Sequence, residues 1–443
     1  MSSQLAARQV AFDVLRQVSS EDAYANLALA KRLAGAGLAT RDAAFATELV
    51  SGTCRLAGTY DAIIARAGRR GLNSLQPAVI DLLRLLAHQA LSLNTPPRAA
   101  VATTVELARA RVGQRVTGIV NAIGRRIAAK SMGEWIAELE KGQDDLGALA
   151  VRFHHPRWIV EAYQELLPAA ELPAALAANN QAPRPTLVVR PGLAEVSELA
   201  PAVATRFSPY GAVLDGVPAS IAAVQEGRAG VQDEGSQLVA LALARADAPS
   251  GPWLDLCAGP GGKAALLTGL AVQAGHRLTA NEVAPHRARL VAQALSAYPP
   301  TATTVVCSDG REGHELHPLG PFSRVMVDAP CSGLGALRRR PESRWRRSPT
   351  VLDGLVELQA ELLHSAVDVT LPGGVVAYVT CSPHPRETHE VVANVLADRV
   401  GAELLSASEL LPEVPECASG DFVQLWPHRH GTDAMFLAML RIH

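Results

Sequence analysis

The chain has 443 residues, 48% of them hydrophobic and 19% charged, enough for about two to four ordinary domains and too apolar for a disordered protein. No apolar run approaches the ~20 residues that span a bilayer, and MSSQLAARQVAFDVL lacks a basic stretch leading into an uninterrupted apolar core, so the sequence reads as cytoplasmic with no membrane partner. The net charge of −2 hides an asymmetry: residues 1–133 carry 17 Lys and Arg against 8 Asp and Glu, a balance of +9 that leaves −11 for the rest and suits a polyanionic partner, or simply a solvated basic surface.

Residues 1–142 read as an all-α bundle. Val10, Val14 and Val18 recur at helical spacing, as do Val101, Val105, Ala108 and Val112, then Val116, Val120, Ile123 and Ile127, with no strand-like alternation between them. Breaks at Gly35–Gly37, Gly68–Gly71, Asn73-Ser74 and Asn94-Thr95-Pro96-Pro97 cut the segment into helices of bundle length. The phrases RDAAFATELVSGTCR (41–55) and GIVNAIGRRI (118–127) resemble the NusB-like helical RNA-binding domain. Arg125 and Arg126 are the first candidates there for phosphate contact, although an arginine pair at a helix end is also what a solvated C-terminal charge looks like.

Gln143-Asp144-Asp145 reads as a linker, and residues 143–235 as a small α+β module in which PRWIVEAYQELL and AELPAALAANN are helical and PTLVVRP and ATRFSPYGAVL extended. Asp233 and Ser236 are N-cap candidates for a helix in VQDEGSQLVALAL. Residues 236–443 then alternate strands with helices. The strand candidates are WLDLCA (253–258), RLTANEV (277–283), TTVVCSD (303–309), SRVMVDA (323–329), VVAYVTC (375–381) and AMFLAMLRI (434–442). Such a pattern predicts a Rossmann-like α/β domain with a mostly parallel sheet, whose ligands lie beyond the carboxyl ends of the strands.

The first of these strands runs into Asp255-Leu256-Cys257-Ala258-Gly259-Pro260-Gly261-Gly262-Lys263 and a helix. The spacing is not G-x-G-x-x-G, Pro260 interrupts the turn, and Asp255 would repel a pyrophosphate, so a dinucleotide is excluded in favour of a cationic or hydroxyl-bearing ligand. Glu282, 20 residues after Gly262, stands where a carboxylate accepts from ribose hydroxyls, and Asp309 ends the third strand. Together they fit S-adenosyl-L-methionine: Cys257 through Lys263 around the methionine moiety, Glu282 at the ribose and Asp309 near the adenine amine. Arg287 and Asp328 join the same set. Each acidic residue alone is as well explained as a cap or a surface charge.

Two further strand ends carry Pro330-Cys331-Ser332 and Thr380-Cys381-Ser382. The motifs DLCAGPGGK, VDAPCSGLGALRRRPESRWRR and YVTCSPHPRETHE, with HGTDAMFLAMLR at 430–441, resemble the RNA cytosine-carbon-5 methyltransferases of the Nol/Nop/Sun group. With the NusB-like front end, the whole resembles the bacterial Sun (Fmu) type, which acts on 16S ribosomal RNA. The chemistry explains the thiols. Carbon 5 of cytosine attacks a sulfonium methyl only after a thiolate has added to carbon 6, and the carbon-5 proton must then leave. Cys381, Cys331 and Asp328 are the candidates for nucleophile, release aid and acid at N3. Spacing leaves both thiols in contention, since DNA cytosine methyltransferases attack with a Pro-Cys cysteine placed like Cys331; the resemblance assigns attack to Cys381 and release of the methylated RNA to Cys331. Cys257 and Cys307 read instead as small buried hydrophobes.

Lys263 is the only Lys after position 141 in a chain with 37 Arg and four Lys, which points to a site that needs a compact ammonium supporting Asp328 or the target base. Arg338, Arg339, Arg340, Arg344, Arg346 and Arg347 surround Trp345, and this run is expected to hold RNA, with the indole stacking on a base. Six cysteines without CxxC spacing, and the histidines of HPRETH (384–389) with His428 and His430, form no full ligand set, so no metal is expected. The expected protein is a monomer acting on small-subunit ribosomal RNA. The alternatives are a transfer-RNA methyltransferase of the same group and a non-catalytic NusB-like RNA-binding or antitermination factor.

Overall fold

A computed structural model describes residues 3–312, 316–399 and 401–443, and it divides into two compact units. The first runs from the N-terminus to Gln181 and also takes in Leu337–Ser348; the second comprises Ala182–Ala336 and Pro349–His443.

The first unit is helical among its described residues, and its core is made from the apolar stripes. Val10 and Val14 of helix Ser3–Ser20, Leu49 and Val50 of Thr40–Arg55, and Ile63 and Ile64 of Ala57–Gly68 are all buried. Helix Pro77–Leu91 buries Leu82, Leu83, Leu85 and Leu86 on successive faces, as a helix surrounded by its neighbours must. Thr117–Ile127 packs against it through Gly124, where a Cβ would stand 2.5 Å from Leu86 Cδ1. Arg125 and Arg126 lie exposed in the last turn of that helix, and Arg126 donates to the Ala67 carbonyl at 2.9 Å.

The arginine-rich segment is the main departure from expectation. Arg344 is fully buried, its guanidinium donating to His154 O at 2.9 Å, Asn180 Oδ1 at 2.7 Å and Asn179 O at 3.0 Å. Trp345 lies against Gly58, where a Cβ would meet the ring at 2.2 Å, and its Nε1 donates to Arg55 O at 3.1 Å. Arg346 donates to Val18 O at 2.5 Å and Ala23 O at 2.7 Å. Arg344 is thus built into a helical core, and Trp345 and Arg346 are half-buried against helical carbonyls, where an exposed run was expected. A guanidinium fork satisfies several backbone carbonyls at once, which is why a charged run can end up inside. Arg338 is also buried, Arg339 and Arg347 are half-buried, and Arg340 is exposed with its guanidinium 5.0 Å from the Tyr24 ring centroid.

The boundaries at 142/143 and 235/236 also differ from the observed division. Asp144 is a helix cap and not part of a linker: its Oδ1 accepts from Gly147 N at 3.0 Å and starts helix Asp145–Arg152. The helices Asp145–Arg152, Arg157–Gln164 and Leu172–Ala178 stay with the first unit, whereas the strands of the expected middle module belong to the second.

Those strands are β1 (Thr186–Val189), β2 (Val203–Ala204), β3 (Gly211–Val213) and β4 (Ala229–Val231), an antiparallel sheet in the order β2-β3-β1-β4. The helix Glu234–Arg245 follows, capped by Asp233, which accepts from Gly235 N at 2.9 Å. Next come β5 (Trp253–Asp255), β6 (Leu278–Asn281), β7 (Thr303–Val306), β8 (Phe322–Asp328) and β9 (Thr370–Thr380). The last are β10 (Ala402–Leu405), β11 (Ala418–Ser419), β12 (Phe422–Gln424) and β13 (Phe436–Ile442). The main sheet is ordered β11-β12-β13-β9-β8-β5-β6-β7 with β10 on β13; β9, β8, β5, β6 and β7 are parallel, and β13 runs antiparallel to β9. The strand order reverses at β5, with β6 on one side and β8 on the other, so a crevice opens beyond its carboxyl end. No helix among the described residues is long and apolar enough to cross a membrane.

Candidate active site

The turn after β5 places a carboxylate in the interior. Asp255 is fully buried, and its oxygens make no side-chain hydrogen bond, the backbone N–H of Cys257 being the donor beside them. Burial, and after it the charge of Asp328, push its carboxyl up to about 7. At the end of β6, Glu282 is buried, accepting from Ala284 N at 3.0 Å and standing 3.3 Å from Arg287 Nη2. Arg287 also donates to Gly259 O at 2.7 Å, and a Cβ on Gly259 would lie 2.0 Å from Glu282 Oε2. The glycine is therefore required by the close approach of the Glu282 side chain to the turn.

Asp309 is not part of this set as it stands. Both its oxygens are held by Arg311, with Nη2 at 2.6 Å and Nε at 3.0 and 3.1 Å, which keeps its carboxyl below the usual range. The contact expected between Asp309 and an adenine amine thus competes with an ion pair already made. Cys307 departs from expectation too: it is exposed, because β7 lies at the sheet edge. Cys257 is half-buried and packs on the core formed by Leu254, Val325 and Val327, its thiol pushed well up by burial and then by Asp255.

On the other side of β5 the chemistry converges. Asp328 ends β8 beside Val379 of β9, which places the loops carrying Cys331 and Cys381 next to one another. The two sulfurs are 3.3 Å apart. Lys263 Nζ donates to Asp328 Oδ2 at 2.8 Å, with the lysine side chain 12% and the aspartate side chain 27% exposed. Burial alone would lower the Lys263 pKa, but Asp328, Cys381 and Asp255 outweigh it and the net shift is upward. The Cys331 thiol is pushed well up, first by its hydrogen bond to Cys381, then by burial.

These features coincide with relatives found by comparison. A family model described as 16S rRNA methyltransferase RsmB/F matches residues 240–441, and the NusB family model matches residues 5–129. Rv1407 of Mycobacterium tuberculosis, named only as a methyltransferase, is 49% identical over 98% of this chain and 96% of its own. The ribosomal RNA small subunit methyltransferase B of Cronobacter sakazakii is 30% identical over 82% of this chain and 84% of its own.

The chain belongs to the RsmB/F methyltransferase family. It is an S-adenosylmethionine-dependent RNA methyltransferase with a NusB domain at its N-terminus. The fold agrees with two solved structures: PH0851, with a TM-score of 0.81 and 21% identity over 100% of this chain and 99% of that one, and NSun6 from Pyrococcus horikoshii with SFG, with a TM-score of 0.55 and 16% identity over 65% and 98%. The residues fit the family's cofactor. The Asp255 carboxylate, which makes no side-chain hydrogen bond, and the Glu282 carboxylate beside the glycine turn supply the acceptor chemistry that the ammonium and hydroxyl donors of S-adenosylmethionine require.

Among the described residues no group of three or more His, Cys, Asp and Glu is placed to hold a metal ion. His384 caps the turn that follows it, accepting from Arg386 N at 3.2 Å, and His430 Nδ1 accepts from Trp426 N at 2.8 Å. In the sequence the 384–389 segment stands out for its histidines, whereas Glu387 within it is the residue fully buried between the two cysteine loops. The signal available was its position five residues after Ser382, too weak alone to assign a role.

Proposed function

We propose that the protein methylates carbon 5 of a cytosine in small-subunit ribosomal RNA through a covalent adduct with Cys381. The observation that carries this reading is the convergence, beyond the ends of β8 and β9, of two thiols 3.3 Å apart with a carboxylate held by an ammonium. Cys381 adds to carbon 6, with the Cys331 sulfur 3.3 Å away and the Lys263 ammonium, whose charge favours a thiolate, nearby. Asp328, placed by Lys263 and partly open to substrate, meets the ring at N3 as a carboxylic acid, gives N3 its proton as Cys381 adds to carbon 6, and takes it back when the adduct collapses. S-adenosylmethionine, when bound, supplies an electrophilic methyl group. The carbon-5 proton then leaves to solvent, Cys381 departs and the aromatic ring is restored, a release that Cys331 assists.

Asp255, Glu282, Arg287 and the turn from Cys257 to Gly262 are the residues assigned to hold the cofactor. The exposed Arg125, with the basic balance of residues 1–133, supports a phosphate-binding role for the helical unit. The names of relatives such as the ribosomal RNA small subunit methyltransferase B of Bacillus subtilis, 29% identical over 98% of both chains, support ribosomal over transfer RNA. The test is transfer of a labelled methyl group to unmodified small-subunit RNA, with mapping of the modified base, alongside denaturing gels of variants. We expect 5-methylcytosine, a stable RNA adduct with Cys331→Ala and none with Cys381→Ala. Transfer to transfer RNA alone, or the reverse adduct pattern, overturns the substrate or the thiol assignment respectively.

A further inference from the structure

The Glu387 carboxylate lies fully buried between the two cysteine loops, and donors reach both of its oxygens. Oε1 accepts from Ser332 N at 2.7 Å and from Gln359 Nε2 at 3.2 Å; Oε2 accepts from Ser382 Oγ at 2.6 Å and from Ser332 Oγ. The second proton of Gln359 Nε2 goes to Pro330 O at 2.8 Å. Ser382 Oγ, having donated its proton, accepts from His384 N at 3.2 Å. The Glu387 carbonyl in turn accepts from Tyr378 OH at 2.8 Å, which fastens the residue to β9.

Ser332 and Ser382 are the residues directly after Cys331 and Cys381. One carboxylate thus grips both catalytic loops at the same offset, and Gln359 ties it to the residue before Cys331. A neutral hydrogen-bonding side chain could not repeat the arrangement. Two hydroxyl donors converge on one oxygen while a backbone N–H and an amide converge on the other, and only a carboxylate presents acceptors alone on both sides. A buried carboxylate needs such donors, since its desolvation is otherwise strongly unfavourable.

We propose that Glu387 is a positioning residue that holds the Cys331 and Cys381 loops in register, so that both thiols reach the same face of one bound base. This deepens the proposed function and rests on it in part, since the need for two thiols on one base comes from that reading. The geometric claim stands apart, because the fixed approach of the sulfurs can be measured without RNA or cofactor.

Diamide provides the measurement. It takes two electrons and two protons from a pair of thiols, becoming the hydrazine as the disulfide forms. Thiols held in contact have a high effective concentration and should cross-link rapidly to a Cys331–Cys381 disulfide, read by peptide mapping. Glu387→Gln should slow that cross-link at least ~10-fold and lower kcat by a similar factor with KM for RNA unchanged, while Glu387→Asp should recover part of both. Unchanged cross-linking in Glu387→Gln overturns the proposal whatever the methylation assay shows. Slowed cross-linking by a protein that methylates no cytosine would leave the positioning role standing and remove the proposed function instead.

Should Glu387→Gln fail to fold, Ser332→Ala and Ser382→Ala replace it, each removing one hydroxyl donor. Slowing of more than ~3-fold in at least one supports the grip, and both rates within ~3-fold of the parent overturn it.

Discussion

Arg344 in the helical unit and Lys263 beside the sheet are both cations largely removed from water, and their surroundings neutralise them differently. Arg344 spends its fork on two backbone carbonyls and a side-chain amide oxygen, all neutral and all fixed by the fold. Lys263 has three protons and one partner, the Asp328 carboxylate, which is itself partly exposed. The first arrangement leaves nothing open to a substrate. The second stays partly exposed, as a reacting site must. Asp255 adds a third case, a fully buried carboxylate that makes no side-chain hydrogen bond and whose pKa burial raises despite the nearby Cys257 N–H.

The comparison can be broken most forcefully at Arg344. Arg344→Met keeps the side chain's length but strips three acceptors of their donor, and should destabilise the helical unit by about 2–4 kcal/mol. Hydrogen exchange of the amides in Ser3–Ser20 and Leu172–Ala178 would read the loss, and methyl transfer per folded molecule should hold within ~3-fold. A stable variant with impaired chemistry would mean that the arginine serves the RNA after all.

Asp255 comes next. Its carboxyl titrates near 7 in the folded protein, above its ordinary range, so the folded state holds the proton more tightly than the unfolded one. Its contribution to stability is complete below about pH 4 and falls as pH rises towards 7, by up to ~4 kcal/mol from linkage. Relative to the parent, ligand-free Asp255→Asn should therefore gain thermal stability as pH is raised from 5 to 8, while binding S-adenosylmethionine more weakly. A lower melting temperature than the parent at pH 8 would show that the ionised carboxylate is already satisfied.

The smallest expected effect is at Lys263→Arg, which keeps the charge and changes the shape. A planar fork in place of the ammonium should misplace Asp328 and lower kcat at least ~10-fold with folding intact. Full activity would mean that charge alone matters there and that the scarcity of lysine in this chain carries no message.

Much of the site was legible in the sequence. Apolar runs such as SRVMVDA and VVAYVTC become β8 and β9, and Asp328, Cys331 and Cys381 follow at or just beyond their ends because parallel strands must present their loops together. Lys263 was legible by its isolation. Three features were not. The 338–347 run carries the composition of an RNA-binding surface, yet helical carbonyls accept its arginines as readily as phosphates would. Asp309 lies three residues beyond β7, which stops at Val306, and Arg311, two residues on, pairs with it. Glu387 belongs to a segment notable for histidines, and its role depends on residues 55 and 28 positions away.

The sequence by itself determined the order of elements, the helical front end, the parallel sheet, and the placing of the candidate cofactor and thiol residues near strand ends. Those follow from apolar periodicity and from motifs confined to a few adjacent residues. Only the tertiary structure decided which charges are solvated, which are buried in core, and which oppose one another across a crevice. Burial and pairing depend on neighbours brought together from distant parts of the chain: the same guanidinium is a phosphate ligand in water and a structural clamp among carbonyls.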